Sequence, residues 1–592
     1  MAGIPAALRR PRSPFIGPRP FTLHDESLFF GRSDELRRLL ELWRRNRLTI
    51  LHSDAAAGKT SLLRAGLIPR LRADGANVLP PGRATSCQVR PAPALPGHNP
   101  YVLTLLSSWD PEESPGRLAA LSISRFLHGR ETYDRDGAPT PIFAAVDQAE
   151  AFLRPRAPDG AHRRRLLGEL FEALAHRPNL RLLLVVRSDY LDDLRHEVKD
   201  AERPECAEYH LRPLTPEAAT EVVCRSAQAM RLHVPPEEVE ELLEELRAIR
   251  DEHGRVSRLT RAIDPLLLQV AGAHLWSCAP ARDSFAPARV RAEVERALTD
   301  WCGRTLAVAA AEHELSRREL DTWVRRTLLR RNRTAATHLA DMTHTANTPN
   351  TADTTGAARV VHTAGKVGAG DTVRAARITE AFLHSLEDRH LITDARHDAG
   401  PGLRQRRLLA PLRRLDAGRW PPAAPDAAAL LCAAVRAHAE GEPGRAGRLA
   451  REAARVCPPK EMRVRADIES LLGNLSYEQR SLDEAVERYL AAATLFEALN
   501  DCTSVGWILA AAGRISLEQG RRSTAVAYMM AATGRLPHDP FVRTGLGQAL
   551  RAAGESAAAL EVLTGVLEHD DVLEARRTRN EIAGDGGGPA KR

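Results

Sequence analysis

Lysine is almost absent from this chain. Of 84 basic residues only five are lysines, at positions 59, 199, 366, 460 and 591, so a lysine inside a motif carries more information than it would elsewhere. Cysteine is thinly used as well: eight thiols form no CxxC pair and join no cysteine–histidine cluster at zinc spacing. That pattern reads as reduced core thiols, with a disulfide or metal framework as the alternative. No apolar run approaches the eighteen or so residues that a spanning helix needs, which excludes an integral membrane fold. Residues 1–14 carry Arg9, Arg10 and Arg12 with no apolar stretch behind them, so a secretory signal is excluded and a cytoplasmic protein is expected.

What is present is a chain of 592 residues, 43% hydrophobic and 27% charged, the ordinary balance of soluble globular proteins. At roughly 150 residues per domain it should hold about four domains. The net charge of +7 is spread over too great a length to argue for nucleic acid by itself.

An amphipathic helix with Leu36, Leu39, Leu40 and Trp43 on one face runs into a short apolar strand, Leu48 to Leu51. Strand-like runs follow at Thr85 to Val89, Ile142 to Val146 and Leu182 to Val186, with a helical pattern between the last two, as an α/β parallel sheet requires. After Leu214 the strand signals stop. Val239, Leu242, Leu243, Leu246 and Ile249 repeat at helical spacing behind Pro235 and Pro236, which opens a helical domain. The stretch Thr334 to Gly356 has few large apolar residues and cannot offset the entropy of ordering itself, so a disordered insertion is expected. From Val373 to Leu415 a helix bearing Ile378, Phe382 and Leu386 precedes a short strand, Leu391-Ile392-Thr393, the order of a winged helix-turn-helix. Past Trp420 to Pro425, landmarks recur at 34 residues: Gly513 and Gly547, Gly520 and Gly554, Ala525 and Ala559. That is the tetratricopeptide period, and with two looser copies upstream it gives four helical hairpins.

Directly after the strand Leu48 to Leu51 comes Ser53-Asp54-Ala55-Ala56-Ala57-Gly58-Lys59-Thr60, then Ser61 and an apolar helix. A GxxxxGK[ST] loop sets backbone N–H groups and a helix N-terminus around a polyphosphate, the lysine against the outer phosphates and the hydroxyl on magnesium. Ser53, Gly58, Lys59, Thr60 and Ser61 are therefore the candidate ATP/ADP contacts, with Thr60 also a candidate Mg2+ ligand. Ser53 stands where the pattern has its first glycine. The strand Ile142 to Val146 ends in Asp147-Gln148-Ala149-Glu150. At the tip of the strand beside the phosphate loop, Asp147 would hold magnesium through water and Glu150 would orient the attacking water as base. Arg187, after Leu182 to Val186, is the candidate for neutralising the terminal phosphate.

The segment from Pro14 to Phe21, then Leu28-Phe29-Phe30-Gly31-Arg32, the Gly58-Lys59-Thr60 loop with Arg64-Ala65-Gly66-Leu67, and Asp147 to Glu150 together resemble the novel STAND NTPases over roughly Pro14 to Leu415. The resemblance implies that Phe30, Gly31 and Arg32 lie near the adenine and that Pro265, in Ile263-Asp264-Pro265-Leu266-Leu267, faces the base. It implies an α/β core, helical lid and winged helix that clasp ADP when off and open on ATP exchange to form a homo-oligomer. The C-terminal repeats would be the sensor, taking a protein or peptide ligand on their concave face. Ser53 and Ala56 replace glycines that the family normally shows, so nucleotide binding is expected ahead of hydrolysis, and at most a weak magnesium-dependent ATPase.

The expected fold is thus multidomain, α/β plus all-α. Residues 1–24 form a tail and opening segment, 25–215 a P-loop NTPase core and 216–333 a helical domain. The insertion takes 334–372, a winged helix 373–416, a linker 417–425, tetratricopeptide repeats in an α-solenoid 426–572, and a disordered tail 573–592. The leading function is an ATP/ADP-dependent signalling switch with no membrane partner. Two alternatives stay open. One is a DNA-binding regulator using Arg374, Arg377 and Arg389 with the basic hairpin Arg404, Arg406, Arg407, Arg413 and Arg414, whose binding would fall steeply with salt. The other is a non-hydrolysing tetratricopeptide scaffold with a degenerate core, motivated by the three alanines at 55 to 57.

Overall fold

The computed structural model describes residues 13–84, 91, 98–153, 160–200, 206–231, 234–250, 255–278, 287–313, 315–329, 380–393, 402–415, 427–439, 441–568 and 572–585. The expected strand at 85–89, the insertion at 334–372, the linker at 417–425 and residues Arg374, Arg377 and Ile378 lie outside the described residues. Two compact units divide the chain. One gathers Met1–Glu35, Ser53–Ala65 and Leu211–Ala424; the other gathers Leu36–His52, Gly66–His210 and Pro425–Arg592.

The elements used below, in chain order, are α1 (Ser33–Arg45), β1 (Leu48–Ser53), β2 (Asn77–Val78), α2 (Pro100–Trp109), α3 (Pro115–Ala119), β3 (Ile142–Val146), β4 (Leu180–Arg187) and β5 (Cys206–His210). Then come α4 (Pro216–Ala229), α5 (Pro236–Arg247), β6 (Ala248–Arg250), β7 (Val256–Leu259), α6 (Pro265–Cys278), α7 (Pro287–Glu312) and α8 (Glu380–Asp388). The C-terminal helices are α9 (Ala427–Ala439), α10 (Pro443–Val456), α11 (Met462–Glu478), α12 (Leu482–Ala498), α13 (Cys502–Glu518), α14 (Arg522–Arg535), α15 (Pro540–Ala553), α16 (Ser556–Leu567) and α17 (Leu573–Asp585).

The second unit holds a five-stranded parallel sheet in the order β2-β3-β4-β1-β5. Strand β3 is buried along its whole length and β4 nearly so, which is why both read as continuous apolar runs. α1 packs on the sheet through Leu39 and Trp43. The Trp43 indole N–H donates to the Arg181 carbonyl at 3.0 Å, and its ring meets Phe143 edge-on at 5.5 Å. The strand order corrects one expectation. Asp147 follows β3, and β3 is not the neighbour of β1; β4, which ends in Arg187, lies between them. Apolarity identifies strands that are buried but does not rank them across a sheet.

Four consecutive helix pairs, α9/α10 to α15/α16, and a closing helix α17 follow in the same unit. α17 occupies 573–585, which the sequence reading assigns to a tail; Ala575 and Ile582 are buried and join the hydrophobic core. In three pairs a glycine of the first helix faces a side chain sixteen residues later on the second: Gly473 and Tyr489, Gly513 and Met529, Gly547 and Leu563. A Cβ at any of these glycines would come within 2.7–2.9 Å of that side chain, so the helices can approach only where no Cβ intervenes. The glycine spacing noticed in the sequence is thus a packing rule. The helix pairs share a hydrophobic core with the sheet through Trp507, Phe541 and their neighbours.

In the first unit, α4 to α8 pack around Leu242, Leu246, Val294, Leu298, Leu306 and Phe382. Phe15 of the opening segment is buried in that core against Gly272, and the Ile16 N–H donates to Gln269 Oε1 at 2.9 Å. Two expectations change here. Strands do continue after Leu214, because β6 and β7 form an antiparallel hairpin. Ile249 belongs to β6 rather than to the helix, whose C-cap Ala248 is already extended. In the segment Leu391 to Thr393, an antiparallel bridge joins Ile392 to Leu403, flanked by Thr393 N–H to Gly402 O at 2.9 Å.

The arginines expected to form a basic surface are largely engaged within this unit. Arg407 is 3% exposed and pairs with Glu245 at 2.7 Å and with Glu295, both buried. Arg414 reaches Glu295 at 3.1 Å, Arg389 pairs with Glu312, and Arg404 pairs with Asp264. Such pairing spends guanidinium donors on buried carboxylates, so Arg389, Arg407 and Arg414 do not form a free phosphate-binding face. The described cysteines form no disulfide with one another; Cys302 and Cys457 are buried, whereas Cys432 and Cys502 are exposed and so are not core thiols. No helix among the described residues is long and apolar enough to cross a membrane.

Candidate functional site

β1 runs directly into the phosphate loop, where Gly58 takes a left-handed conformation (φ 101°) as the N-cap of a helix that begins at Lys59. The helix continues through a π turn, Leu62–Leu67, to Ala73. Backbone N–H groups at such an end form an anion site. The Lys59 ammonium bends back onto the loop, donating to Ser53 O at 3.0 Å, Ser53 Oγ at 3.0 Å and Asp54 O at 3.2 Å. Ser53, fully buried, adds through its hydroxyl an acceptor that the glycine of the usual pattern would lack. Ala56 sits at φ 59°, a left-handed conformation that alanine adopts at a cost.

Residues 30–32 brace this loop. Arg32, 5% exposed, donates to Ala57 O at 3.0 Å and Arg212 O at 2.9 Å, and pairs with Glu35 at 2.7 Å. Gly31 (φ 75°) lies so close to α4 that a Cβ would come within 2.6 Å of Val222 and 2.7 Å of the Ala218 carbonyl. Phe30 is half-buried, with the Arg225 guanidinium 4.6 Å over its ring. Ser61 accepts a hydrogen bond from the Phe21 N–H at 3.1 Å, tying the opening segment to the phosphate helix.

Three residues that the sequence reading did not place at this site converge on it. Pro265 is the first residue of α6, and Asp264 just before it caps that helix through the Leu266 and Leu267 N–H groups at 2.8 and 3.2 Å. The other Asp264 oxygen accepts from Arg404 and from Gln405 at 3.1 Å. Arg404 in turn donates to the Ala55 carbonyl of the phosphate loop at 3.3 Å and to the His390 carbonyl at 2.8 Å. His390 has a left-handed backbone (φ 63°). Burial, reinforced by the positive charge of Arg404 and Lys59, pulls its imidazole down to about 4 from 6.5, so it is neutral at pH 7. Arg404 Nη2 and His390 Nδ1 are buried without a hydrogen-bond partner among the described residues. No short motif links positions 55, 264, 390 and 404, which is why reading along the chain did not join them.

The carboxylate candidates belong to the other unit. Asp147, 1% exposed, follows β3, and its N–H donates to Gly82 O at 2.8 Å. Glu150 opens the short helix Glu150–Leu153 and accepts from the Arg187 N–H at 3.3 Å, joining the ends of β3 and β4. The Arg187 guanidinium is paired with Asp189 and lies 5.7 Å from the Tyr190 ring. Beside them His52 stacks on His210 at 4.8 Å and meets Ser188 Oγ at 3.1 Å. Nothing along the chain signals this cluster, since its members come from three separate strand ends.

One histidine–cysteine group also emerges, against expectation. Donor atoms of His274, Cys278 and Glu293 lie within 4.8 Å of one another. Glu293 already accepts from His274 at 2.9 Å and Arg296 at 2.6 Å, and the His274 hydrogen bond holds its carboxyl below the usual range. It is an ion-paired cluster between α6 and α7.

The family model described as Novel STAND NTPase 1 matches residues 14–366. No curated protein matches the sequence. Among solved structures, a Walker-type ATPase of Pyrococcus abyssi is 17% identical, covering 67% of this chain and 98% of its own, at TM-score 0.36. The ORC2 protein of Aeropyrum pernix, in ADPNP–ADP complexes, is 13% identical over 64% of this chain and 93% of its own, at TM-score 0.33. A signal-transduction ATPase with numerous domains and a tetratricopeptide repeat sensor, from Pyrococcus horikoshii, is 13% identical over 93% of this chain and 80% of its own, at TM-score 0.27. These likenesses are remote.

Proposed function

Because the chain belongs to the novel STAND NTPase 1 family, we propose that it is an adenine-nucleotide-dependent signalling switch. Loop residues Ser53 to Thr60 hold ADP or ATP, residues 380–415 act as the winged-helix clasp, and the C-terminal helix pairs are tetratricopeptide repeats that sense a protein or peptide. Release of the clasp then permits homo-oligomer formation. The observation that carries the reading is the bond from Arg404 to the Ala55 carbonyl, which brings a segment some 350 residues away in sequence onto the phosphate loop. Two buried polar atoms there, Arg404 Nη2 and His390 Nδ1, lack partners among the described residues. A phosphate oxygen is the kind of group that would satisfy the guanidinium.

In this reading Lys59 leaves Ser53 and Asp54 to meet the outer phosphates, while Arg32 keeps the loop carbonyls in place. Phe30 and Pro265 border the base. The hydroxyl of Thr60 is a hard oxygen donor of the kind that magnesium prefers, and the ion would offset phosphate charge when bound. Glu150 is the base candidate, but its carboxylate is engaged by the Arg187 N–H and Arg187 by Asp189. Turnover should therefore be slow until those bonds rearrange. Mass spectrometry of the nucleotide released on denaturing freshly purified protein tests the reading: ADP is expected, and a nucleotide-free chain that also fails to bind added ADP or ATP would leave only a helical scaffold.

A further inference from the structure

His274 and Cys278 stand four residues apart on α6, which puts both side chains on one face of that helix. Glu293 meets them from α7 and is 6% exposed. The three donor atoms lie within 4.8 Å of one another. One ring nitrogen faces both of the others: His274 Nε2 is 2.9 Å from Glu293 Oε2 and 3.9 Å from Cys278 Sγ. A tetrahedral zinc ion with bonds of about 2.0–2.3 Å spaces its ligand atoms roughly 3.3–3.6 Å apart. The observed spacings straddle that range, so small side-chain rotations bring the triangle to it.

The sulfur is what an ion pair leaves unexplained. Glu293 already has His274 and, at 2.6 Å, Arg296 as partners, and a thiol 3.9 Å from a ring nitrogen adds at most a weak hydrogen bond. Yet Sγ stands where a third ligand belongs. Thiolate, imidazole and carboxylate together are a mixture of soft and hard donors that zinc accepts, whereas magnesium and calcium call for oxygen. The surroundings suit a metal as well. Arg296 holds the Glu293 carboxylate from outside, as the outer partners of ligating carboxylates do. His274 and Cys278 are half-buried, so an ion can reach them.

We propose that His274, Cys278 and Glu293 form a zinc site, with water in the fourth position, that clamps α6 to α7. Three protein donors and one open position describe an exchangeable ion rather than a closed structural one. The clamp has a place in its unit. Asp264, just before α6, accepts from Arg404, while Glu295 and Glu312 of α7 accept from Arg407 and Arg389. Zinc thus joins the two helices on which these three arginines are anchored and stabilises that packing. None of its ligands belongs to the phosphate loop, and the site does not depend on the nucleotide reading.

The test uses the full chain without an affinity tag, stripped of metal by a chelator and titrated with Co2+. A thiolate-to-cobalt charge-transfer band in the near ultraviolet is expected, saturable, and bleached by Zn2+ but not by Mg2+. Cys278→Ser should abolish the band. His274→Gln should weaken cobalt binding about a hundredfold, and Arg296→Ala, one step removed from the ion, about tenfold. Lys59→Ala and the pair Cys432→Ser/Cys502→Ser should leave it unchanged. Absence of the band, its survival in Cys278→Ser, or its loss in Cys432→Ser/Cys502→Ser overturns the proposal. Zn2+ should also raise the urea midpoint of the native chain but not that of Cys278→Ser, which decides the matter if His274→Gln does not fold. An equal shift in both, or none in either, counts against the site.

Discussion

Ser114 donates its hydroxyl to the carboxylate of Asp539, 425 residues later in the chain. Asp539 also caps α15, accepting from the Phe541 and Val542 N–H groups, both at 3.0 Å. Next to it Gly116 lies so close to Trp507 and Phe541 that a Cβ would fall within 2.6 and 2.9 Å of their rings. The loop entering α3 is therefore docked on the repeat helices by one polar and one steric contact.

Asp539→Ala should cost about 2 kcal/mol, since it removes a helix cap and leaves Ser114 without its acceptor. Ser114→Ala should cost about 1 kcal/mol. Urea denaturation of the full chain measures both, and equal values would mean that the Ser114 bond matters and the α15 cap does not. Gly116→Leu should speed proteolytic cleavage near residues 110–120 before global unfolding.

Lys59→Ala should weaken ADP binding about ten- to a hundredfold, the range of charge-assisted hydrogen bonds. Titration of a fluorescent ADP analogue checks this. Unchanged affinity would place the phosphates elsewhere.

Ala56→Gly should stabilise the protein by about 0.5–1 kcal/mol. The left-handed backbone at φ 59° penalises alanine, and the greater chain entropy of glycine offsets only part of the relief. A rise in thermal midpoint supports it; a fall means that the Ala56 methyl is needed for packing.

His390 makes stability depend on acid. Its folded pKa of about 4 lies below the ordinary 6.5, so between those values the unfolded chain binds more protons and stability falls as pH falls. The loss should begin below pH 6.5 and level off near pH 4, reaching roughly 3 kcal/mol. His390→Asn, which tolerates the left-handed backbone, should flatten the urea midpoint across that window. ADP bound beside the imidazole should raise its pKa, so nucleotide binding near pH 5.5 should take up protons, visible by calorimetry in buffers of different ionisation enthalpy.

Arg407→Ala should destabilise the protein by about 3–5 kcal/mol, because it takes the shared guanidinium from buried Glu245 and Glu295 and leaves them only Arg250 and Arg414. A stable Arg407→Ala protein that loses affinity for duplex DNA would instead restore the nucleic-acid reading of this hairpin.

Elements whose residues are buried on both faces were legible along the chain: β1, β3 and β4 stand out as apolar runs, and the glycine spacing announced the hairpins. β5 was not legible. Its sequence Cys206-Ala207-Glu208-Tyr209-His210 is half-exposed, with Glu208 paired to Arg195 at 2.6 Å, so it carries no apolar run. The phosphate loop was readable because its residues are contiguous. Arg404 and His390 were not, since their relation to Ala55 exists only after folding. Strand order was hidden for the same reason: what lies between β1 and β3 is decided by pairing, not by composition.

The residue sixteen places after each hairpin glycine differs in bulk: tyrosine, then methionine, then leucine. Each of these three pairs of helices thus carries its own thickness gauge, a single side chain laid across a bare backbone. Exchanging these three residues among the hairpins would retune the helix separations one at a time, without touching a loop.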